Sequence, residues 1–367
     1  MTTLQKSADK NAFTEALVAF SLAIAAAILV KLPSLFGLDL DQNESFYIRN
    51  ISLFVLPLLT GYFVWKRKIE SHTLILLVSA FSLALLFANS YPFEQGGDTE
   101  ALFALHLPIA LWLIVGVAFS GGKWSEVSSR MDFIRFSGEM FIYYVLIALG
   151  GVVLVGFMAL IFGTIGIDIE PVFESWVLSC VAGAVIIAAW LAEIRNELAG
   201  NFAPVLAKLF SPLFAIVIIA FLGTLLFTGN ELIMDRDVLI AFDLLLVMVL
   251  CLLIYSISAR DPEATPGGFD VIQVILVISA LLADGVALWG ISERIAEFGF
   301  TPNRVAALGM NLILLVNLTW SAVLYIRFLR GRSSFQALEK WQTDYLPVFV
   351  VWAAAVVIIF PLVFGFQ

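Results

Sequence analysis

Long apolar runs alternate with short polar segments along the whole chain. Eleven runs reach the roughly 20 residues, at about 1.5 Å of rise each, that a helix needs to cross the hydrocarbon core of a bilayer. They cover residues 13–33, 48–65, 72–90, 100–119, 138–165, 172–192, 209–228, 238–258, 269–290, 302–328 and 346–365. Irregular backbone cannot satisfy its polar groups in lipid, so each run is predicted to be an α-helix. The connecting segments are too short for a soluble domain, and the pattern therefore predicts one all-α transmembrane bundle over residues 1–367.

Composition agrees with a lipid environment. Hydrophobic residues make up 61% of the chain, charged residues 13%, and the mean hydropathy is +1.01, whereas a soluble domain is about half apolar and a quarter charged. The formal net charge of −9 argues against nucleic acid as a partner, because nucleic-acid binding needs clustered Lys and Arg. Cys180 and Cys251 lie inside apolar runs and predict no disulfide framework. No cofactor is indicated.

The distribution of basic residues predicts an orientation. The alternation of spans puts 15 of the 20 Lys and Arg residues on the side of the amino terminus. The other side receives Lys31, Arg49, Arg236, Arg294 and Arg304. Because basic residues accumulate on the cytoplasmic side of membrane proteins, we expect the amino terminus in the cytoplasm and, with an odd span number, the carboxyl terminus outside.

The segment "ISERIAEFGFTPNRVAALGMN" (291–311) predicts a turn between two membrane helices. Gly299 suits the backbone position after a helix end, Thr301 is a candidate N-cap, and Pro302 fits the first position of the next helix. Trp289 and Phe298 lie where aromatic residues anchor helices at a bilayer interface. We interpret this segment as an anchored surface hairpin whose charges are Glu293, Arg294, Glu297 and Arg304. The alternative is that Arg294 and Arg304 bind an anionic ligand or a lipid headgroup.

A second polar segment, "RMDFIRFSGE" (130–139), precedes the fifth apolar run. Its charged residues recur at helical spacing, and Phe133 and Phe136 fall between them. This pattern predicts a short helix on the membrane surface with the two rings inserted in the interface.

Four segments resemble a family of bacterial polytopic membrane proteins: "ERIAEFGFTPNRVAALGMNLILLVNLTWSA" (293–322), "RMDFIRFSGE", "ESFYIRNISLFVLPLL" and "YLPVFVVWAAAVVIIFPLVFGF". That family is known only as a domain of unknown function, and its members are sometimes labelled permeases. The resemblance runs from about Glu44 onward. It implies a multi-pass protein of the bacterial inner (plasma) membrane, and it implies no catalytic residues.

Several polar side chains fall inside predicted spans, where an ionisable group costs about 2.5–3.5 kcal/mol on insertion scales. Counting residues from the span ends places most of them toward the outer side of the carboxyl-terminal half. The hypothesis is an outward-opening polar cavity bounded by spans four, eight, nine and ten. Its candidate residues are Asp243, Asp284, Asn311, Asn317, His106 and Gln273. The alternative is structural: Asp243 and Asp284 are each hydrogen-bonded or ion-paired, for example to Arg236, Arg294 or Arg304.

These features favour a transporter or permease over an enzyme, with an unknown small solute as ligand. No G-x-x-x-x-G-K-[ST] loop is present, so the chain does not use ATP in that way, and no HExxH or G-x-S-x-G motif points to a hydrolase. One alternative is an accessory, signalling or scaffold protein of the membrane that binds a protein partner. A less favoured alternative is a glycosyl or lipid-modifying transferase using the outer acidic residues Asp39, Asp41 and Glu44.

Overall fold

Helices make up most of the described part of the chain. This computed structural model describes residues 3–164, 170–198, 203–228 and 236–367, and within these ranges there is no β-strand. The helices are α1 (Thr3–Lys31), a short 3-10 helix (Leu32–Phe36), α2 (Glu44–Arg67), α3 (Ser71–Ser90), α4 (Asp98–Phe119), α5 (Val127–Thr164), α6 (Glu170–Leu198), α7 (Ala203–Thr228), α8 (Arg236–Ala259), α9 (Gly268–Phe298), α10 (Pro302–Leu329), α11 (Gln336–Ile358) and α12 (Phe360–Val363).

Among the described residues, 11 helices are long and apolar enough to cross a membrane, which confirms the predicted number of spans. Several helices extend well beyond the predicted runs, and α1 begins at Thr3 rather than 13. α5 begins at Val127 rather than 138, α9 continues to Phe298 rather than 290, and α11 begins at Gln336 rather than 346. Hydropathy marks only the part of a helix that suits hydrocarbon, whereas backbone hydrogen bonding continues through polar residues into the interface.

The prediction of a separate surface helix at 130–139 is wrong. These residues form the first turns of α5, and Phe133 and Phe136 are 2% and 0% exposed. The Phe136 ring contacts the rings of Phe63 and Phe119. The two phenylalanines are therefore core residues, because protein rather than lipid headgroups covers them.

The described chain clusters into two compact units, and both are discontinuous in sequence. Unit 1 consists of residues 1–91, 111–124 and 136–200, and unit 2 of residues 92–110, 125–135 and 201–367. The prediction of a single domain over residues 1–367 stays a prediction.

In unit 1, the most extensive helix pair is α1 with α6. Small side chains make this close approach possible: Ala23 and Ala26 of α1 and Ala182 of α6 are buried in one core cluster. A Cβ atom added at Gly183 would lie 3.0 Å from the Ala23 carbonyl oxygen. The small-residue faces of α1 and α6 therefore set how closely the two backbones approach.

Charged residues join α1, α2 and α6 at one end of unit 1. Glu193 is 3% exposed; it accepts a hydrogen bond from Arg67, and its carboxylate lies 3.5 Å from Lys66 Nζ. Lys66 also bonds to Glu15 over 3.1 Å. A buried carboxylate needs such partners, because breaking a buried ion pair costs about 3–5 kcal/mol.

Unit 2 is organised around α9, which contacts α7, α8 and α10. Its buried face carries small residues at helical spacing, including Ala280, Ala283 and Ala287, all 0% exposed. Small side chains let neighbouring helices come close to α9. Two polar residues of the same face, Asp270 and Gln273, are also buried, as expected for positions that share a helix face.

Candidate functional site

Asp284 lies near the middle of α9, in a buried position where its carboxylate lacks hydrogen-bond partners within the described part of the chain. Its side chain is 0% exposed. Neither Oδ1 nor Oδ2 has a hydrogen-bond partner among the described residues. A buried carboxylate without hydrogen bonds is costly in its charged form, so this position needs either a bound proton or a bound cation.

Asp243 and Asn311 lie on α8 and α10, two helices that contact α9 and are joined by a hydrogen bond between these side chains. Asn311 Nδ2 donates to Asp243 Oδ1 over 2.7 Å and to the Ala307 carbonyl oxygen over 3.0 Å. Asp243 of α8 and Asp284 of α9 interact electrostatically, and their two helices are in contact. α8, α9 and α10 thus bring three predicted cavity residues into one cluster, which we call the carboxylate cluster: Asp243, Asp284 and Asn311.

The carboxylate cluster consists largely of hydrogen-bond acceptors. Asn311 supplies two N–H donors, and the two bonds above use them. Asn311 Oδ1 is buried and, among the described residues, has no donor. Asn311 is 1% exposed, so neither it nor Asp284 lines an open cavity in this structure. The predicted outward opening stays a prediction.

The other predicted cavity residues lie in separate local networks. Gln273 Nε2 donates to Ser211 Oγ over 2.8 Å, about 16 Å along α9 from Asp284. Asn317 exchanges hydrogen bonds with Gln342 of α11, at 3.1 Å and 3.4 Å. His106 Nδ1 lies 2.8 Å from the Leu102 carbonyl oxygen in its own helix. The structure therefore brings together three of the six candidates.

Two partners in these networks could not be found from the sequence pattern. Gln342 is 1% exposed and donates to Ser321 Oγ over 2.7 Å, but it precedes the predicted start of span eleven at 346. Ser211, 0% exposed, falls in an apolar run that gives no sign of its partner. The polar segment "EKWQTDY" (339–345) at the start of α11 is the only signal for Gln342.

Asp270 has a different environment from Asp284, although both are buried on the same face of α9. Its carboxylate accepts bonds from Arg260 Nε at 2.8 Å and Nη2 at 3.1 Å. The Arg260 guanidinium also lies over the rings of Phe328 and Phe335, 4.8 Å and 4.4 Å from their centroids. This clamp compensates the Asp270 charge.

The turn between α9 and α10 forms as predicted. Gly299 follows α9 with φ +76°, a conformation that favours glycine. Thr301 is the N-cap, its hydroxyl accepting from the Arg304 backbone N–H over 3.4 Å, and Pro302 is the first helical residue.

The charged residues of this hairpin have structural contacts. Arg304 Nη1 donates to the carbonyl oxygens of Phe298 and Gly299, at 3.0 Å and 2.8 Å, where the end of α9 leaves acceptors unsatisfied. Arg294 and Arg304 both lie over the Phe298 ring. Glu293 is half-buried and Glu297 exposed. These contacts favour the anchored hairpin over a ligand site.

The structure shows other contacts for some of the arginines predicted to pair with Asp243 and Asp284. Arg304 bonds to the end of α9 instead, and the side chain of Arg236 lies outside the described residues. The outer acidic residues Asp39, Asp41 and Glu44 are exposed. Across the described part of the chain, no three His, Cys, Asp or Glu side chains gather into a group that could hold a metal ion.

An apolar groove on unit 2 offers nothing polar to a solute. It measures about 330 Å³ and is lined by Ile313, Pro347, Val348, Val351, Trp352 and Ala355. Its aliphatic and aromatic lining suits lipid chains, so the carboxylate cluster is the better candidate for function.

Comparison with known protein families, with curated proteins and with solved structures finds no match. The resemblance to a bacterial family of unknown function stays a prediction.

Proposed function

We propose that this chain is a multi-pass membrane transporter of the permease type, and that the carboxylate cluster exchanges protons during its cycle. The observation that carries the proposal is Asp284, fully buried within a membrane-spanning helix with neither carboxylate oxygen bonded among the described residues. Ionisable residues inside membrane spans commonly form ion pathways and proton relays. In this proposal a proton is the group that Asp284 holds.

The neighbouring side chains suit a proton at this position. Two nearby carboxylates cannot both ionise without mutual repulsion, so the pair retains one proton more readily than an isolated acid. The protonated Asp284 carboxyl gains an O–H donor, and the acceptors beside it are Asp243 and the Asn311 Oδ1. Loss of that proton leaves two negative charges with a single amide as donor. Burial is therefore more favourable for the protonated pair than for the deprotonated pair. A site that couples proton binding to transport requires such a difference.

Orientation and location complete the proposal: the amino terminus in the cytoplasm, the carboxyl terminus outside, and the bacterial inner membrane as the site. Contacts between distant segments support the predicted alternation of sides. Arg130 bonds to Asp344 over 2.7 Å, and the Glu94 N–H donates to the Phe366 carbonyl oxygen over 2.9 Å. Each bond joins two segments that the basic-residue pattern assigns to the same side of the membrane.

Infrared difference spectroscopy of the reconstituted protein tests the proton site. A protonated carboxyl group absorbs separately from a carboxylate. We expect a protonated-carboxyl band near neutral pH that Asp284→Asn removes and that the exposed control Asp41→Asn keeps. An unchanged band in Asp284→Asn overturns the assignment to Asp284.

Transport is tested in proteoliposomes that contain a pH-sensitive dye. Amino acids, sugars and carboxylic acids are supplied one at a time, and at least one class is expected to change the internal pH through the wild type and Asp41→Asn, but not through Asp284→Asn. Equal responses of all three proteins contradict the proposal, and so does the lack of any response to these solutes while the infrared band is present.

A further inference from the structure

The carboxylate cluster offers oxygen atoms only to a bound species. Asp284 contributes two buried oxygens and Asn311 one, and among the described residues these three have no hydrogen-bond donor. Asp243 adds its carboxylate, with Oδ1 already bonded to Asn311. Because the amide carbon of Asn311 carries both Oδ1 and the bonded Nδ2, the free Oδ1 lies beside the Asp243 carboxylate. The three side chains therefore carry five hard oxygen atoms, on three helices that contact one another.

Among the described side chains of the surrounding helices, no Lys, Arg or His forms an ion pair with Asp243 or Asp284. On α10, Arg304 bonds to the end of α9, and Tyr325 and Arg327 lie about 21 Å or more along the helix from Asn311. On α8, Cys251 and Tyr255 are about 12 Å and 18 Å from Asp243. Elsewhere on these helices, Lys208 of α7 is exposed, Arg294 of α9 lies over Phe298, and Asp270 of α9 is paired with Arg260. Glu293 and Glu297 lie about 14 Å or more along α9 from Asp284.

α11 also contacts α8 and α10. Its Tyr345 hydroxyl donates to the Ile313 carbonyl oxygen, its Lys340 pairs with Asp344, and its Glu339 lies in the first turn. The side chains of Arg236 and Asp237 of α8 are outside the described residues.

We propose that the carboxylate cluster is a sodium-ion site at which Na⁺ and the proton replace one another, an inference that rests on the proposed function of the same cluster. Carboxylate and amide oxygens are hard ligands suited to hard cations. Replacement is balanced in charge and atoms: the O–H bond of the Asp284 carboxyl breaks, the electron pair stays on oxygen, water accepts the proton, and the carboxylate coordinates Na⁺.

Ligand number selects a monovalent ion over the common divalent ones. Ca²⁺ takes about 6–8 oxygen ligands, and Mg²⁺ keeps several of its waters in an octahedral shell. The cluster has fewer oxygens than Ca²⁺ needs. Asp284 and Asn311 are buried and Asp243 is half-buried, so an ion bound here cannot keep a full hydration shell. A desolvated Na⁺ with a few oxygen ligands fits both conditions.

Proton release on salt addition tests the inference directly. The purified wild type in detergent, in very weak buffer near neutral pH, receives NaCl, MgCl₂ or choline chloride at equal ionic strength while a pH electrode follows the solution. We expect NaCl to release up to about one proton per chain, since the carboxylate pair shares one, and choline chloride to release none. Asp284→Asn should release no proton when NaCl is added, whereas Asp41→Asn should release as many protons as the wild type. Equal release by choline chloride, or release by MgCl₂ alone, overturns the sodium site.

Thermal unfolding provides a measurement that needs no variant. An ion that binds only the folded state raises the melting temperature of the protein. NaCl should therefore raise the wild-type Tm above the value measured in choline chloride. An identical Tm in the two salts contradicts the site even if Asp284→Asn fails to fold. If Na⁺ has no effect while the infrared band still depends on Asp284, the sodium inference fails and the proton-exchange function stands. If the band does not depend on Asp284, the proposed function fails as well.

Discussion

Asn311 donates from Nδ2 to Asp243 Oδ1 over 2.7 Å, joining the middle of α10 to α8 beside the buried Asp284. The same amide also bonds to the Ala307 carbonyl oxygen, so its orientation is determined by two acceptors. Because both donors are used, the amide oxygen is the atom left to face the rest of the cluster. One side chain thus organises the cluster and explains why it contains unmatched acceptors.

The Asn311–Asp243 bond should contribute measurably to stability. Asn311→Leu is expected to lower the free energy of unfolding by about 1–2 kcal/mol, because hydrogen bonds between membrane helices are modest but the half-buried Asp243 carboxylate loses its donor. Thermal unfolding in detergent, followed by circular dichroism, measures the effect. In a double-mutant cycle with Asp243→Leu, the double variant should lose less than the two single variants together. Full additivity would show that the bond contributes nothing.

Two buried aspartates on one face of α9 should respond in opposite ways to the same substitution. Asp270→Asn breaks a buried pair with Arg260 and is expected to cost about 3–5 kcal/mol. Asp284→Asn removes a carboxylate without partners and supplies an amide N–H to nearby acceptors, so its Tm should equal or exceed that of the wild type. Melting curves of the two variants under identical conditions provide the comparison. A large loss of stability in Asp284→Asn would indicate that this carboxylate has a structural role.

Gly309 should not tolerate a methyl group. A Cβ there would lie 2.0 Å from the Trp352 ring, and forcing extra atoms into a packed contact costs about 1–3 kcal/mol. Gly285→Ala is the matched control, because it is also a helical glycine but no heavy atom lies within 4 Å of its added Cβ. We expect Gly309→Ala to lower the Tm and Gly285→Ala to leave it unchanged or slightly raised, since alanine is the better helix former. Equal effects of the two substitutions would contradict the close approach of α10 to Trp352.

Cysteine labelling should separate the loops into two groups. In a background with Cys180→Ala and Cys251→Ala, a membrane-impermeant maleimide applied to intact cells should label Asp41→Cys and Glu94→Cys. Lys68→Cys and Lys340→Cys should react only after the membrane is permeabilised, because the basic segments are expected to face the cytoplasm. Labelling of Lys340→Cys in intact cells would reverse the proposed orientation.

The sequence by itself determined the class of fold and some local details. Hydropathy yielded the 11 spans because a helix must expose apolar side chains to lipid over a fixed length. The turn at Gly299, Thr301 and Pro302 was predictable because capping depends on residues only a few positions apart. That Asp270, Gln273 and Asp284 share one face of α9 also follows from helical spacing alone, whereas their burial is known from the structure.

Only the tertiary structure decided which polar groups meet. Asn311 bonds to Asp243, 68 residues away, while Asn317 bonds to Gln342 instead, and nothing in the local pattern distinguishes the two asparagines. The sequence likewise left Asp270 and Asp284 equivalent, although Arg260 neutralises the first and the second has no such partner among the described residues. Periodicity reports which side of a helix is buried, but the neighbour that covers it depends on long-range packing. For that reason the charge balance of the site could be read only from the folded chain.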